Sequence, residues 1–329
     1  MSENPVVVEV MRGGLVESAH RGAGIVIDAD GGVVLQFGDV GRPVFPRSAV
    51  KPIQALPLIE SGAADRFALT PGELALACAS HSGEPEHVAL AAGMLARAGL
   101  DETALACGAH WPTNAQAARA VASPSALHNN CSGKHAGFLC LACARGWPTQ
   151  GYEDAGHGVQ REVKAALEDV SGERLDAAGL DGCSIPTYAI SLTGLARGFA
   201  RMATGRGLGV QRAAAARRLF GAMAAHPFLV AGTGRFDTRA MTLLGGRAIT
   251  KTGAEGVYCA ALPELGLGLA VKADDGATRA AEAMIAALIG RFLALPEDLA
   301  RPKLRNWRGA VVGEIRPAGA LAVGEGTRT

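Results

Sequence analysis

At 329 residues, 49% hydrophobic and 19% charged, the chain can bury a sizeable core as one large domain or two small ones. A formal net charge of +1, with no basic run, basic–aromatic stripe or acidic tail, argues against a nucleic-acid partner. No apolar run reaches the roughly 18 residues that span a membrane, and Met-Ser-Glu-Asn-Pro at the start has no basic segment followed by an apolar one. The seven cysteines, an odd number spread from Cys78 to Cys259, do not form a disulfide framework, so a cytoplasmic protein is expected.

In chain order, the β-branched runs Pro5–Val10, Ala23–Asp28 and Gly32–Phe37 predict strands separated by Gly and Asp turns. Val50, Ile53, Leu56 and Ile59 recur near helical spacing and predict a helix over Ser48–Ser61, which Pro57 should kink or end early. Alanine-rich helices are expected over Thr70–Cys78, Pro85–Ala98, Ala115–Val121, Gly133–Arg145, Gly158–Val170, Ile190–Ala203 and Gln211–Ala225. Strands return at Ala240–Leu244, Ala248–Lys251, Val257–Ala261 and Leu265–Lys272, followed by a helix over Ala277–Leu293 and a last strand within Arg308–Ile315. This order predicts an α+β fold: an antiparallel sheet flanked by helices, with a helical block over about 62–225, in one domain spanning 1–316. The small, polar residues 317–329 are expected to be a disordered tail.

The chemistry-bearing residues fall in four clusters. Ser48 and Lys51 form a Ser-x-x-Lys, which places a hydroxyl and an amine on one helical face. A serine needs a base, and a lysine with the ordinary pKa near 10.4 acts as one at pH 7 only after losing about 3 pH units of proton affinity, roughly 4 kcal/mol. Burial and a second nearby cation both act in that direction. Alone, the pair also reads as a helix cap and a surface lysine; the distant Lys251-Thr252-Gly253 strengthens the catalytic reading. Ala79-Ser80-His81-Ser82-Gly83-Glu84 reads either as a capping loop or as the source of a second serine.

The third cluster, His128-Asn129-Asn130-Cys131-Ser132-Gly133-Lys134-His135, holds a thiol at a helix start, and Cys183 in Asp181-Gly182-Cys183-Ser184 offers another. Thiols and histidine at such spacing suggest zinc, while inert buried cysteines are the alternative. In the fourth, Ala231-Gly232-Thr233-Gly234-Arg235-Phe236-Asp237, neither a dinucleotide nor a Walker pattern is present, so nucleotide binding is not expected. Arg235 there could offer a cation to a carboxylate.

Taken together and in order, Pro46–Gln54, Ala79–Glu84, Asn129–His135, Asp181–Pro186 and Lys251–Gly256 resemble the L-asparaginase II family of the rhizobial type, over about residues 5–315. The resemblance implies a serine β-lactamase/penicillin-binding-protein fold, shared with serine glutaminases. It implies two neighbouring tandems, Ser48–Lys51 and Ser80–Lys251, as catalytic residues. It further implies zinc held by Cys131, Lys134 and Cys183, with Arg47 contacting substrate and His135 and Asp181 contacting substrate or supporting the metal. The activity implied is hydrolysis of the side-chain amide of L-asparagine by a homodimer: Ser48 attacks, Lys51 takes its proton, Ser80 relays one to ammonia, and water cleaves the acyl-enzyme. A serine glutaminase, a β-lactamase-like amidohydrolase and an inactive zinc-binding protein are the alternatives.

Overall fold

The computed structural model describes residues 3–322. The chain opens with β1 (Val6–Arg12), β2 (Leu15–Asp28) and β3 (Val33–Phe37). After a 3-10 turn over Arg47–Val50 come α1 (Lys51–Gln54), α2 (Leu56–Glu60), α3 (Ala63–Arg66), α4 (Pro71–Ala77), α5 (Pro85–Arg97) and α6 (Ala115–Ala120). Next are α7 (Ser132–Arg145), α8 (Gly158–Ser171), a hairpin of β4 (Ala178–Leu180) and β5 (Pro186–Tyr188), then α9 (Leu192–Thr204), α10 (Val210–Ala225), α11 (Pro227–Ala231) and α12 (Phe236–Leu244). The chain closes with β6 (Ile249–Thr252), β7 (Val257–Leu262), β8 (Leu267–Ala273), α13 (Thr278–Ile289), α14 (Glu297–Ala300), β9 (Lys303–Arg305) and β10 (Val311–Pro317).

Eight strands form one antiparallel sheet in the order β6-β7-β8-β2-β1-β10-β9, with β3 also paired to β2. The fold is α+β, as the order of elements predicts. Because successive residues of a strand point to opposite faces, the sheet divides two cores. Ile25, Ile27, Ile249, Cys259 and Ala261 join the helical block. Val26, Ala248, Tyr258, Ala260 and Leu269 pack with Phe236 of α12 and Met284 and Leu288 of α13. Helix α9 lies on β8, β2 and β7, and the approach is very close. A Cβ at Gly268 would overlap the Ala196 carbonyl and lie 2.5 Å from the Ala200 nitrogen.

Several boundaries differ from expectation. The segment Ala240–Leu244 belongs to a helix, not a strand: Phe236, Ala240, Met241 and Leu244 are buried at helical spacing, a period the short apolar run conceals. The single helix expected over Ser48–Ser61 is three pieces. Pro57 has no N–H to continue the ladder, so the chain breaks at Ala55 and restarts. Strand β2 starts eight residues before Ala23, in a hairpin with β1, and strands β4, β5 and β9, three residues each, were too short to show a period. The tail expected to be disordered begins in order: Gly319–Leu321 form a 3-10 turn, Leu321 is buried, and Ala318 N–H bonds the Val7 carbonyl at 2.8 Å. Residues 323–329 lie outside the described residues.

Replacing Gly268 by Ala should force α9 off the sheet. We expect a stability loss of about 3 kcal/mol, read from the denaturant midpoint; a loss below about 1 kcal/mol would show that the helix can shift freely.

Candidate active site

Three close approaches bring distant segments together. At Gly253 a Cβ would lie 2.5 Å from the Pro46 carbonyl, so only glycine lets the end of β6 touch the turn that carries Ser48. At Gly133 a Cβ would overlap the Leu76 carbonyl, which seats the start of α7 against the end of α4. The segment after α4 is then stitched to the end of α11 and the loop that follows it: Ser80 N–H bonds the Val230 carbonyl at 2.9 Å, Ser82 Oγ donates to the Ala231 carbonyl at 2.8 Å, and Glu84 accepts from Thr233 N–H at 2.8 Å.

The result is a serine between two buried amines. Lys251 Nζ donates to Ser80 Oγ at 2.9 Å and to the Thr252 carbonyl at 2.8 Å. Lys51 Nζ lies 3.1 Å from the same Oγ, 2.5 Å from the Ala79 carbonyl and 3.3 Å from the Asn130 carbonyl. Both lysines are fully buried. Burial pushes Lys251 down to about 7, with further lowering by Lys51 and Arg235, while Asp237 and Cys131 oppose the shift.

The pairing of Ser48 with Lys51 differs from expectation. Among the described residues no hydrogen bond joins them; the Ala79 and Asn130 carbonyls draw the Lys51 amine inward to Ser80. Ser48 stays half-buried on its 3-10 turn. Its neighbour Arg47 sits at φ 52, in the left-handed region, which is strained for a side chain of this size. Arg47 Nε donates to Asp181 Oδ1 at 2.7 Å, and Gly182 N–H bonds the same oxygen at 2.7 Å. Burial works against the Asp181 charge, but Lys134 and Arg47 together hold its carboxyl below the usual range.

Cys131, Lys134 and Cys183 lie beside one another. Lys134 Nζ donates to Cys183 Sγ at 3.1 Å, and Cys131 Sγ is 3.1 Å from Asn130 Oδ1. The Cys183 thiol's hydrogen bond holds Cys131 well below its ordinary pKa, against burial, with help from Lys134 and Lys51; the same bond and burial push Cys183 up. Burial disfavours the Lys134 charge, but Cys131, Cys183 and Asp181 outweigh it and raise its proton affinity. Two sulfur donors and an amine are a donor set that suits zinc, provided the amine loses its proton. No group of three His, Cys, Asp or Glu side chains that could hold a metal occurs among the described residues, so the amine is integral to any such site.

His135 follows Lys134 on α7, about 100° further round the helix, and points to Tyr152. Its Nδ1 is 2.6 Å from Tyr152 Oη, which accepts the Ala106 N–H at 2.8 Å, so the tyrosine proton faces Nδ1. Burial, then Lys134 and Lys51, lower its proton affinity, and Nε2 has no partner. Sequence reasoning missed Tyr152, a lone aromatic in the polar string Thr149–Asp154, and the Ala79 and Asn130 carbonyls, which carry no side-chain signal at all.

A family model described as L-asparaginase II matches residues 8–317. By class, then, the protein is an amidohydrolase on an α+β scaffold. The chain belongs to the L-asparaginase II family. None of the curated proteins matches it. Among solved structures it is similar to a β-lactamase from Mycobacterium bovis, at 14% identity over 79% of this chain and 89% of that one, with a TM-score of 0.41. It is also similar to Mglu in its native form, at 16% identity over 84% of this chain and 66% of that one (TM-score 0.37), and to a second Mglu structure, at 16% identity over 89% and 74% (TM-score 0.39). No helix of the described residues is long and apolar enough to cross a membrane, and all seven cysteines are free.

The folded pKa of Lys251, about 7, lies below the unfolded value of about 10.4. Between these values the unfolded chain binds more protons, so this group makes stability rise with pH. Chemical denaturation at pH 7 and pH 9 should show wild type gaining stability relative to Lys251→Met; a pH-independent difference between the two would contradict the low proton affinity.

Proposed function

We propose that the protein is an L-asparaginase that cleaves the side-chain amide of L-asparagine to aspartate and ammonia through an acyl-serine. The observation that carries this reading is Ser80 Oγ held between Lys51 and Lys251. With Lys251 near pH 7 in its proton affinity, one amine of the pair can be neutral at working pH. A hydroxyl donates to a neutral amine and accepts from a charged one, so Ser80 can take a proton from one lysine as it passes its own to the other, and that relay exchanges which lysine is neutral and able to act as base. Ser48 is the more exposed of the two serines and is the nucleophile in this scheme. It attacks the amide carbon, its proton passes to Lys51, and Ser80 carries a proton onward for the departing ammonia. Water then cleaves the β-aspartyl ester by the reverse proton path. Hydrogen bonds in a resting site tighten when substrate arrives, which accommodates the absent Ser48–Lys51 contact.

Arg47 and Asp181, joined beside the Ser48 turn, would bind the charged groups of an amino acid, one cation for the carboxylate and one anion for the ammonium. Cys131, Lys134 and Cys183 would hold the zinc ion. Bound there, zinc would supply a fixed positive charge that orients a carboxylate-bearing substrate and braces α7 against the 181–184 turn. A cytoplasmic location rests on the free thiols, and a homodimer on family resemblance.

An amide-substrate panel with ammonia detection should give the highest kcat/KM for asparagine; preference for glutamine would move the reading to a glutaminase. Ser48→Ala should reduce turnover by at least about 1,000-fold and Ser80→Ala by about 100-fold, and full activity in Ser48→Ala would remove it as nucleophile. Activity should fall as pH drops below about 7, where Lys251 takes up its proton. Purified protein should carry close to one zinc per chain by elemental analysis, lost in Cys131→Ala and Cys183→Ala; equal zinc content in all three would refute the metal site.

A further inference from the structure

Behind the sheet from Ser80 lies a carboxylate that this scheme does not use. Lys251 and its cross-strand partner Cys259 face the helical block, whereas Thr250, Thr252 and Tyr258 face the opposite side. There Asp237, on the first turn of α12 and 1% exposed, gathers three donors. Thr250 Oγ1 donates to its Oδ1 at 2.7 Å, Tyr258 Oη donates to the same oxygen at 2.5 Å, and Thr252 N–H donates to Oδ2 at 3.1 Å. The two threonines flank Lys251 in sequence. The Thr252 residue is gripped from both sides, its N–H by Asp237 and its carbonyl by the Lys251 amine. A buried carboxylate with no cation in hydrogen-bond contact is costly unless it performs a task of this kind.

We propose that Asp237 is a positioning residue, which clamps the strand on both sides of Lys251 from behind the sheet and so holds the amine on Ser80. This rests on the reading of Lys251 as part of the reaction. The charge of Asp237 acts on Lys251 through the sheet in opposition to burial, and it helps burial push the Glu282 carboxyl on α13 up to about 7. The other groups acting on Lys251 are Lys51 on α1, Arg235 before α12, Cys131 before α7, Cys78 at the end of α4 and Cys259 on β7; Arg235 and Arg239 also act on Glu282. None of these grips the strand of Lys251 as Asp237 does.

The test follows the Lys251 amine directly by isotope-edited lysine NMR, its signal assigned with Lys251→Met, so that it does not depend on turnover. Asp237→Asn keeps the shape and removes the charge. The Lys251 midpoint should fall by about one pH unit, and the acid limb of kcat/KM for asparagine should move with it. Tyr258→Phe removes one donor and leaves the carboxylate less neutralised, so the midpoint should rise; this variant serves if Asp237→Asn does not fold. An unchanged midpoint in either folded variant overturns the proposal. Wild-type protein that releases no ammonia from asparagine would sink the asparaginase reading instead, and the midpoints would still decide the role of Asp237.

Discussion

Two buried lysine amines share one serine oxygen, and most of the architecture serves to hold that arrangement. Lysines resist burial because their charge is strongly hydrated. Each is kept inside by carbonyl acceptors: Ala79 and Asn130 for Lys51, Thr252 for Lys251. The repulsion between them works against stability and helps free a lone pair near neutral pH. The structure thus spends folding stability on an amine that water alone would keep protonated.

The neighbouring thiol–amine cluster uses the same physics with the opposite outcome. Lys134 is as deeply buried as Lys251, yet it is surrounded by sulfur and carboxylate rather than by a second lysine, and its proton is held more tightly instead of less. The contrast lies in the company each amine keeps. The two clusters meet at Asn130 and Cys131, so a change in charge at one is felt at the other.

Much of this was legible in the sequence because the motif residues carry their own signal. Ser48, Lys51, Ser80 and Lys251 lie in short polar strings that interrupt apolar runs, and the thiols of Cys131 and Cys183 stand at similar interruptions. The α+β order followed from periodicity. What stayed hidden was relational. Whether Lys51 reaches Ser48 or Ser80 depends on where two backbone carbonyls fall after three helices have packed, and no local pattern encodes that. Ala240–Leu244 looked like a strand because five residues are too few to separate a period of 2 from one of 3.6. Asp237 sat in a glycine-rich string whose flexible look drew attention to the turn, away from the carboxylate that follows it.

The sheet order has a temporal meaning. Strand β2 is hydrogen-bonded to β8, joining Gly22 to Ala273, so the central pairing closes a loop of most of the chain. Such long closures make a topology slow to form. A ribosome emits Ser48, Ser80 and the whole helical block well before β6 through β8 exist. Until those strands arrive Lys51 lacks its counterpart, and in the partly made protein Ser80 has one amine beside it instead of two. The serine between two amines is therefore completed in one late step, when the sheet closes.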